Sequence, residues 1–72
     1  MTLYTVTTNY MNNYFFGNYS SVLNARNAII NFFDATDELL FCEYVGNYAY
    51  RMTDKYGENY WFEIVINDID ED

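Results

Sequence analysis

The spacing of hydrophobic and polar residues in the first half of the chain predicts two strands followed by a helix. Residues 3–9 alternate between two faces and are rich in β-branched side chains, which is typical of a β-strand. Residues 14–18 predict a short second strand. Between residues 22 and 33 apolar side chains recur with helical spacing, and Ser20 or Ser21 precedes them as the N-cap. This half therefore predicts the element order ββα.

The second half predicts three strands joined by two hairpins. Their ranges are 38–45, 48–54 and 59–67. Gly46 and Asn47 suit a two-residue type II′ turn, because glycine takes the first central position without strain. The loop between the last two strands suits a three-residue turn that Gly57 closes in the left-handed conformation. Since hairpin turns fix which residues pair, they also predict the two faces of the sheet.

The predicted pairing divides these strands into a helix-facing side and an open side. The first turn places Glu43 opposite Tyr50, and the second places Arg51 opposite Trp61. The helix-facing side, our candidate core, consists of Phe41, Val45, Tyr48, Tyr50, Met52, Tyr60, Phe62, Ile64 and Ile66. The open side consists of Leu40, Cys42, Tyr44, Ala49, Arg51, Thr53, Trp61, Glu63 and Val65.

We therefore predict an α+β fold in which a single antiparallel-rich sheet, ordered ββαβββ along the chain, has one helix packed on one face. An order βαβββ, with residues 10–19 irregular, is the alternative. The 72 residues form one domain with an acidic C-terminal tail at 68–72. A chain of this length buries only about 60% of its surface, and its single cysteine excludes an internal disulfide. Its 22% aromatic content favours dense aromatic packing instead.

The charge balance changes the functional picture. Eleven acidic residues face only three basic ones, there is no histidine, and the net charge is −8. Direct nucleic-acid binding is disfavoured, because three cations cannot offset eleven carboxylates against phosphate. The chain is 51% hydrophobic, so it is not a disordered acidic tail. A folded body with this field is expected to attract a basic protein surface.

The acidic residues are unevenly placed, since all of them follow residue 33. One group precedes the third strand and another flanks the second hairpin turn. Because successive strands alternate in direction, both groups are predicted at one end of the sheet. The members of this predicted partner-binding patch are Asp34, Asp37, Glu38, Asp54 and Glu58. A surface that only interacts with solvent is the alternative interpretation.

The open side of the sheet is a second candidate for partner binding. It contains Trp61, Arg51 and Tyr44, and these residue types are enriched at the centres of protein interfaces. The predicted register places Arg51 close enough to Trp61 for a cation–π contact. The alternative function is therefore a structural or adaptor module that forms a homodimer, or docks a partner, through the Trp61 face.

Two further contacts follow from the predicted register. Glu43 would be the one charge on the helix-facing side of the sheet, and Arg26 on the helix leans toward that side, so we expect an ion pair between them. Each side chain extending separately to water is the alternative. Cys42 would lie diagonally near Arg51, whose charge would lower the thiol pKa, although packing is the commoner role of such a cysteine.

Catalysis, cofactors and membranes are not indicated by the sequence. The chain has no histidine base, no Ser-x-x-Lys motif and no glycine-rich phosphate loop, so we predict that it is not an enzyme. No cofactor or metal site is expected, since residues 68–72 lack the glycine of a calcium loop. Without a signal-peptide pattern or an apolar run of about 18 residues, the sequence predicts a cytoplasmic protein.

In size, acidity and aromatic richness the chain resembles small phage-encoded inhibitors of host machinery, including anti-CRISPR and DNA-mimic proteins. The resemblance is one of class and assigns no individual residue. It implies an inhibitor or regulator whose spaced carboxylates imitate a run of phosphates. The implied target is a basic, nucleic-acid-handling host protein.

Overall fold

A computed structural model describes residues 1–12 and 16–68 of the chain. The described residues form one five-stranded antiparallel sheet and one helix, and the strand order in the sheet is β2-β1-β5-β4-β3. The elements are β1 (Thr2–Thr8), β2 (Gly17–Tyr19), α1 (Val22–Ala35), β3 (Leu39–Gly46), β4 (Ala49–Asp54) and β5 (Asn59–Asp68), with a 3₁₀ turn at Tyr10–Asn12. The predicted α+β fold and its ββαβββ order are confirmed.

The helix begins and ends where local hydrogen bonds satisfy its terminal backbone groups. The Oγ of Ser21 accepts a hydrogen bond from the backbone N–H of Asn24 at 3.1 Å, which makes Ser21 the N-cap. At the other end the Thr36 N–H donates to the carbonyl of Phe33, and the Thr36 hydroxyl donates to the carbonyl of Phe32. These bonds extend α1 two residues beyond the predicted end at residue 33.

The core lies between α1 and one face of the sheet. Its buried apolar residues are Val6, Ala25, Ile29, Leu39, Tyr50, Met52, Phe62 and Ile64. Around Phe62 the rings of Tyr10, Phe16, Phe32 and Tyr60 pack against one another with centroid distances of 4.7–6.5 Å. Edge-to-face ring pairs of this kind add stabilisation beyond the buried area. Aromatic packing therefore supplements a small core, as the composition predicts.

The second strand ends at Tyr19, one residue beyond the predicted end at residue 18. Residues 13–15 lie outside the described residues, and β2 covers only Gly17–Tyr19, opposite β1. A side chain at Gly17 would meet the ring of Tyr19 at 3.0–3.2 Å, so glycine allows this close approach. Gly17 therefore has a structural role within β2.

The hairpin between β3 and β4 differs from the prediction by one residue. Asn47 and Tyr48 have φ angles of 53° and 59°, and Gly46 lies opposite Ala49. Positive φ at both central positions defines a type I′ turn at Asn47–Tyr48, in place of the type II′ turn predicted at Gly46–Asn47. This turn alone would pair Glu43 with Met52, but the irregularity between Tyr44 and Gly46 shifts the pairing by one residue. Glu43 therefore lies opposite Arg51, and not opposite Tyr50 as predicted.

This shift of register exchanges the two faces of β3. Cys42 and Tyr44 pair with Met52 and Tyr50 on the helix side, while Phe41 lies on the open side. The irregularity between Tyr44 and Gly46 causes this exchange, and the one between Leu39 and Phe41 reverses it at the start of the strand. The physical reason is visible at Glu43, which the observed register keeps out of the core. The predicted assignment of β3 residues to the two faces was wrong.

The hairpin between β4 and β5 matches the prediction. Gly57 has a φ of 83°, and its N–H donates to the carbonyl of Asp54 at 3.1 Å. The N–H of Asp54 donates to the carbonyl of Glu58 at 2.9 Å, which closes a three-residue loop. Arg51 lies opposite Trp61 as expected.

Candidate functional site

The acidic residues near the start of β3 converge from two separate parts of the chain. Asp34 lies in the last turn of α1, and Asp37 and Glu38 lie in the turn that precedes β3. The loop after β4 lies beside them, because the N–H of Lys55 donates to the carbonyl of Glu38 at 2.9 Å. The Lys55 ammonium also lies 3.8 Å from the Glu38 carboxylate. The structure thus places both acidic groups at one end of the sheet, while Asp68 lies at the other.

Asp54 differs from the other members of this predicted patch. It is buried, and its carboxylate accepts hydrogen bonds from the N–H of Tyr56 at 2.8 Å, the N–H of Glu58 at 2.9 Å and the hydroxyl of Tyr60 at 3.0 Å. Burial alone would raise the pKa of Asp54, but these hydrogen bonds together outweigh it and lower the pKa. The carboxylate therefore stabilises the hairpin, and we leave it out of the surface offered to a partner.

Tyr60 is the partner of Asp54 in this network. Its hydroxyl donates to the carboxylate, and that hydrogen bond, followed by burial, raises the pKa of Tyr60. The ring of Tyr60 lies 4.7 Å from that of Tyr10 in the core. The hydrogen bond therefore ties the loop between β4 and β5 to the aromatic cluster.

The remaining exposed acids at this end form what we call the acidic patch. Its members are Asp34, Asp37, Glu38 and Glu58. All four are exposed, and Asp37 and Glu38 directly precede β3. The patch therefore lies at the beginning of an edge of the sheet.

Arg51 and Trp61 lie side by side on the open face, but the guanidinium of Arg51 points toward β3 and away from Trp61. It forms an ion pair with Glu43 on β3, on the opposite side of β4 from Trp61. Both charged side chains are substantially exposed, so this pair contributes little to stability. Trp61 is itself 47% exposed. Glu43, Arg51 and Trp61 thus form one row across three strands of the open face.

The predicted ion pair between Arg26 and Glu43 does not form. Glu43 lies on the open face with Arg51, whereas Arg26 lies on the helix side beside Tyr44 and Tyr50. The sheet separates the two side chains. The error follows from the shifted register of β3.

Tyr44 also lies on the side of the sheet opposite to the predicted one. Its ring packs against that of Tyr50 at a centroid distance of 5.1 Å, on the helix side. Its hydroxyl accepts a hydrogen bond from the N–H of Tyr48 at 3.3 Å. Tyr44 is therefore not a neighbour of Trp61.

Cys42 is likewise on the helix side, opposite Met52. Partial burial, and then the negative charge of Asp34, raise the pKa of its thiol. The expected activation by Arg51 is absent because the two residues lie on different faces. A thiol with a raised pKa is less reactive, so its role here is packing.

The edge position of β3 is a feature that sequence reasoning missed. β3 ends the sheet, and its outer side has no strand neighbour in the described part of the chain. It also contains large apolar side chains that remain exposed, with Phe41 at 66%, Leu40 at 52% and Val45 at 40%. The signal that would have found it is the strand order, which short-range turn chemistry does not determine.

We call the surface formed by this edge and the adjoining row of the open face the docking surface. Its members are Leu40, Phe41, Glu43, Val45, Arg51 and Trp61. Beyond Trp61 the surface continues into a shallow groove of about 370 Å³ lined by Thr7, Thr8, Asn9 and Glu63. The side-chain oxygen of Asn9 accepts a hydrogen bond from the N–H of Trp61 at 2.9 Å, which fixes the wall of this groove.

Among residues 1–12 and 16–68, no group of histidine, cysteine, aspartate and glutamate side chains is arranged to hold a metal ion. The described helix is also too short and too polar to cross a membrane. Comparison of the chain with protein-family models, with curated proteins and with solved structures finds no match.

Proposed function

We propose that this protein is a non-enzymatic binding module whose docking surface accepts a basic partner protein. The observation that supports the proposal is the concentration of exposed apolar side chains on one edge strand. Scattered exposed apolar residues are ordinary, but a contiguous set is typical of an interaction surface. Here Leu40, Phe41 and Val45 lie within a single strand of eight residues.

The backbone of β3 supports docking of an extended segment. An edge strand presents N–H and C=O groups that a further strand can pair with, and the neighbouring side chains then select the partner. Proteins usually protect such an edge with lysine, proline, β-bulges or very short strands. The two irregularities of β3 lie near its ends, and residues 41–44 between them pair regularly with β4. β3 has eight residues, contains neither lysine nor proline, and its one charge is paired with Arg51.

The position of the acidic patch supports a basic partner. Glu38 immediately precedes β3, and Asp34, Asp37 and Glu58 lie at the same end. A partner segment along β3 would therefore bring its basic residues to the carboxylates while its apolar residues meet Phe41 and Leu40. Complementary charge of this kind raises the association rate and excludes acidic competitors.

The class of inhibitor that the composition resembles favours a nucleic-acid-handling target in the cytoplasm. Exposed carboxylates and a net charge of −8 suit the phosphate-binding surface of such a protein. The carboxylates that would imitate phosphate are those of the acidic patch, since Asp54 is used internally. The partner would be bound through these carboxylates and anchored by β3.

Affinity capture with matched variants tests this proposal. The first variant neutralises the acidic patch (Asp34→Asn, Asp37→Asn, Glu38→Gln, Glu58→Gln), and the control neutralises four acids of the tail region (Asp68→Asn, Asp70→Asn, Glu71→Gln, Asp72→Asn). Both variants carry a net charge of −4, that is −8 plus four neutralised acids. A specific partner is expected to be lost with the first variant and with Phe41→Ser, and retained by the tail control.

Salt dependence provides a second readout of the same experiment. Binding through the acidic patch should weaken between low and high ionic strength, because screening lengths fall from about 30 Å at 0.01 M salt to about 8 Å at 0.15 M. Equal loss of binding in the two charge variants would indicate unspecific attraction. Retention of the partner by both the patch variant and Phe41→Ser would contradict the proposal.

Self-association through β3 is the second candidate function. Two copies of β3 paired antiparallel would place the acidic patch of each copy beside the uncharged Asn47–Tyr48 turn of the other. That arrangement keeps the two acidic patches about 26 Å apart, the length of an eight-residue strand. Sedimentation of the purified protein across a range of concentrations separates the candidates, since a strict monomer would exclude the dimer and leave the partner-binding proposal.

A further inference from the structure

The helix leaves the edge strand β3 uncovered on both faces of the sheet. α1 packs chiefly on β1, β2 and β5, so the hairpin of β3 and β4 is the less covered part of the sheet. On the helix side of β3, Tyr44 is 55% exposed, and on the open side Phe41 is 66% exposed. A strand added beside β3 would therefore find side-chain contacts on both faces of the enlarged sheet.

The backbone of β3 is regular in its middle part. Residues 41–44 pair with β4 without interruption. In an antiparallel ladder alternate residues direct their N–H and C=O groups to opposite sides of the strand. In the described part of the chain no strand pairs with the outer groups of β3. An added segment would therefore be bound through its main chain as well as through its side chains.

The two ends of β3 differ in charge. The acidic patch lies where the strand begins, and of the chain's cations Lys55 is the one beside it, 3.8 Å from the carboxylate of Glu38. The turn at the other end, Asn47–Tyr48, is uncharged. Basic residues of an added segment are therefore favoured at the beginning of β3. A second copy of the chain is disfavoured as the occupant, because both copies would carry a net charge of −8.

The direction of the added segment determines the order of its residues. Every strand pair of the sheet is antiparallel, and antiparallel pairing is slightly more stable per residue than parallel pairing. An antiparallel segment places its C-terminal part beside the beginning of β3. The basic residues of the segment therefore follow its apolar residues along the partner chain.

The side chains of β3 determine the apolar part of the segment. On the open face the segment meets Phe41 and then Glu43, whose charge is already paired with Arg51. On the helix side it meets Cys42 and Tyr44. The segment is therefore apolar or uncharged where it lies level with residues 41–44.

We propose that β3 binds an extended segment of the partner protein, antiparallel to it, in which a short apolar stretch is followed by a cluster of lysine and arginine residues. This segment is the part of the basic partner that enters the docking surface, so the proposal rests on the proposed function. It specifies the order of the partner's residues and their pairing with the backbone of β3.

Two peptides of identical composition test the order of residues. The first is acetyl-Ile-Thr-Val-Leu-Thr-Lys-Arg-Lys-amide, which can place its leucine beside Phe41 and its basic residues beside the acidic patch. The second has the reverse sequence. Titration into the full chain, followed through the amide NMR signals of residues 40–45, should show saturable binding of the first peptide and about tenfold weaker binding of the second. Equal affinities, tighter binding of the reversed peptide, or no saturable binding of either would overturn the proposal.

Methylation of peptide nitrogens tests the main-chain pairing. One derivative of the first peptide is N-methylated at its first threonine and its leucine, and the other at its valine and its second threonine. Alternate residues face the same neighbour, so one derivative loses the N–H groups that face β3 while the other keeps them. The first of these losses should weaken binding about tenfold or more, and the other derivative should bind within about threefold of the parent peptide. Equal affinities of the two derivatives would overturn the proposal.

Variants of the protein separate this proposal from the proposed function. Phe41→Ser and the neutralised acidic patch should each weaken binding of the first peptide about tenfold or more. Val65→Ser, at an exposed apolar residue on β5, is the control and should leave the affinity unchanged. If both variants weaken binding but the two peptides bind equally, the order of residues is overturned and the proposed function stands. If neither variant weakens binding, both are overturned.

Discussion

The two hairpins of this molecule use similar residues but differ in how firmly the local sequence determines them. In the hairpin between β4 and β5, Gly57 has the left-handed conformation and the Asp54 carboxylate binds two N–H groups of its own loop. In the hairpin between β3 and β4, Gly46, Asn47 and Tyr48 all have positive φ angles, and no carboxylate holds the turn. The register of a hairpin can be predicted when a side chain of the turn accepts the hydrogen bonds of its own loop. When several turn residues tolerate positive φ angles, the register depends on the rest of the fold.

The largest expected effect comes from removing the acceptor that holds the second hairpin. Asp54→Ala leaves two N–H groups and the Tyr60 hydroxyl without their partner, so we expect the melting temperature to fall by on the order of 10 °C. Asp37→Ala, which removes an exposed acid at the same end, is the matched control and should change it little. A similar melting temperature for both variants would show that the Asp54 network does not support the hairpin.

The pH dependence of stability provides a separate measurement on the same group. Because the pKa of Asp54 in the folded protein is below its ordinary value of 3.8, its contribution is present above that value and is lost as pH falls through the folded pKa. The pKa of Tyr60 is raised above 10.0, so its contribution is present below pH 10.0 and is lost as pH rises through the folded pKa. Melting curves of Asp54→Asn should lack the acid-side loss that the wild type shows.

The two glycines allow a direct comparison of the hairpins. Gly46 and Gly57 have φ angles of 92° and 83°, and a Cβ at either position would meet no atom within 4 Å. Substitution by alanine should therefore lower the unfolding free energy through backbone strain alone, by about 1–2 kcal/mol at each position. Chemical denaturation of Gly46→Ala and Gly57→Ala measures both costs, and a difference well above 1 kcal/mol would show that one turn contains strain beyond its φ angle.

The smallest expected effect tests the register of β3. Phe41→Ser should change the unfolding free energy by less than about 0.5 kcal/mol, because the side chain lies on the surface. Phe62→Ala, at a fully buried ring, should cost about 3–5 kcal/mol. A cost for Phe41→Ser near that of Phe62→Ala would support the register in which Phe41 faces the helix.

Features determined by neighbouring residues could be predicted from the sequence. The cap at Ser21, the loop closed by Gly57 and the pairing of Arg51 with Trp61 depend on contacts within a few residues or one hairpin. The register of β3 could not be predicted in this way, because it depends on an irregularity between Tyr44 and Gly46 that the turn residues do not determine. This irregularity determines which face of β3 meets the helix, and burying Glu43 is the costly alternative.

The candidate site shows the same division between local and long-range information. The convergence of the acidic residues followed from the alternation of strand direction, and the structure places Glu38 beside the loop after β4. The sequence does not show that the Asp54 carboxylate is hydrogen-bonded within its own hairpin, since an aspartate in a turn can equally face solvent. The edge position of β3 depends on the order of strands in the sheet.

The placement of Trp61 has a spectroscopic consequence. It is the single tryptophan of the chain and lies on the open face, while Tyr10, Tyr44, Tyr50 and Tyr60 lie on the helix side. Selective excitation of the indole therefore reports on the docking surface. Occupation of the docking surface is therefore observable through the chain's own indole, without an attached dye.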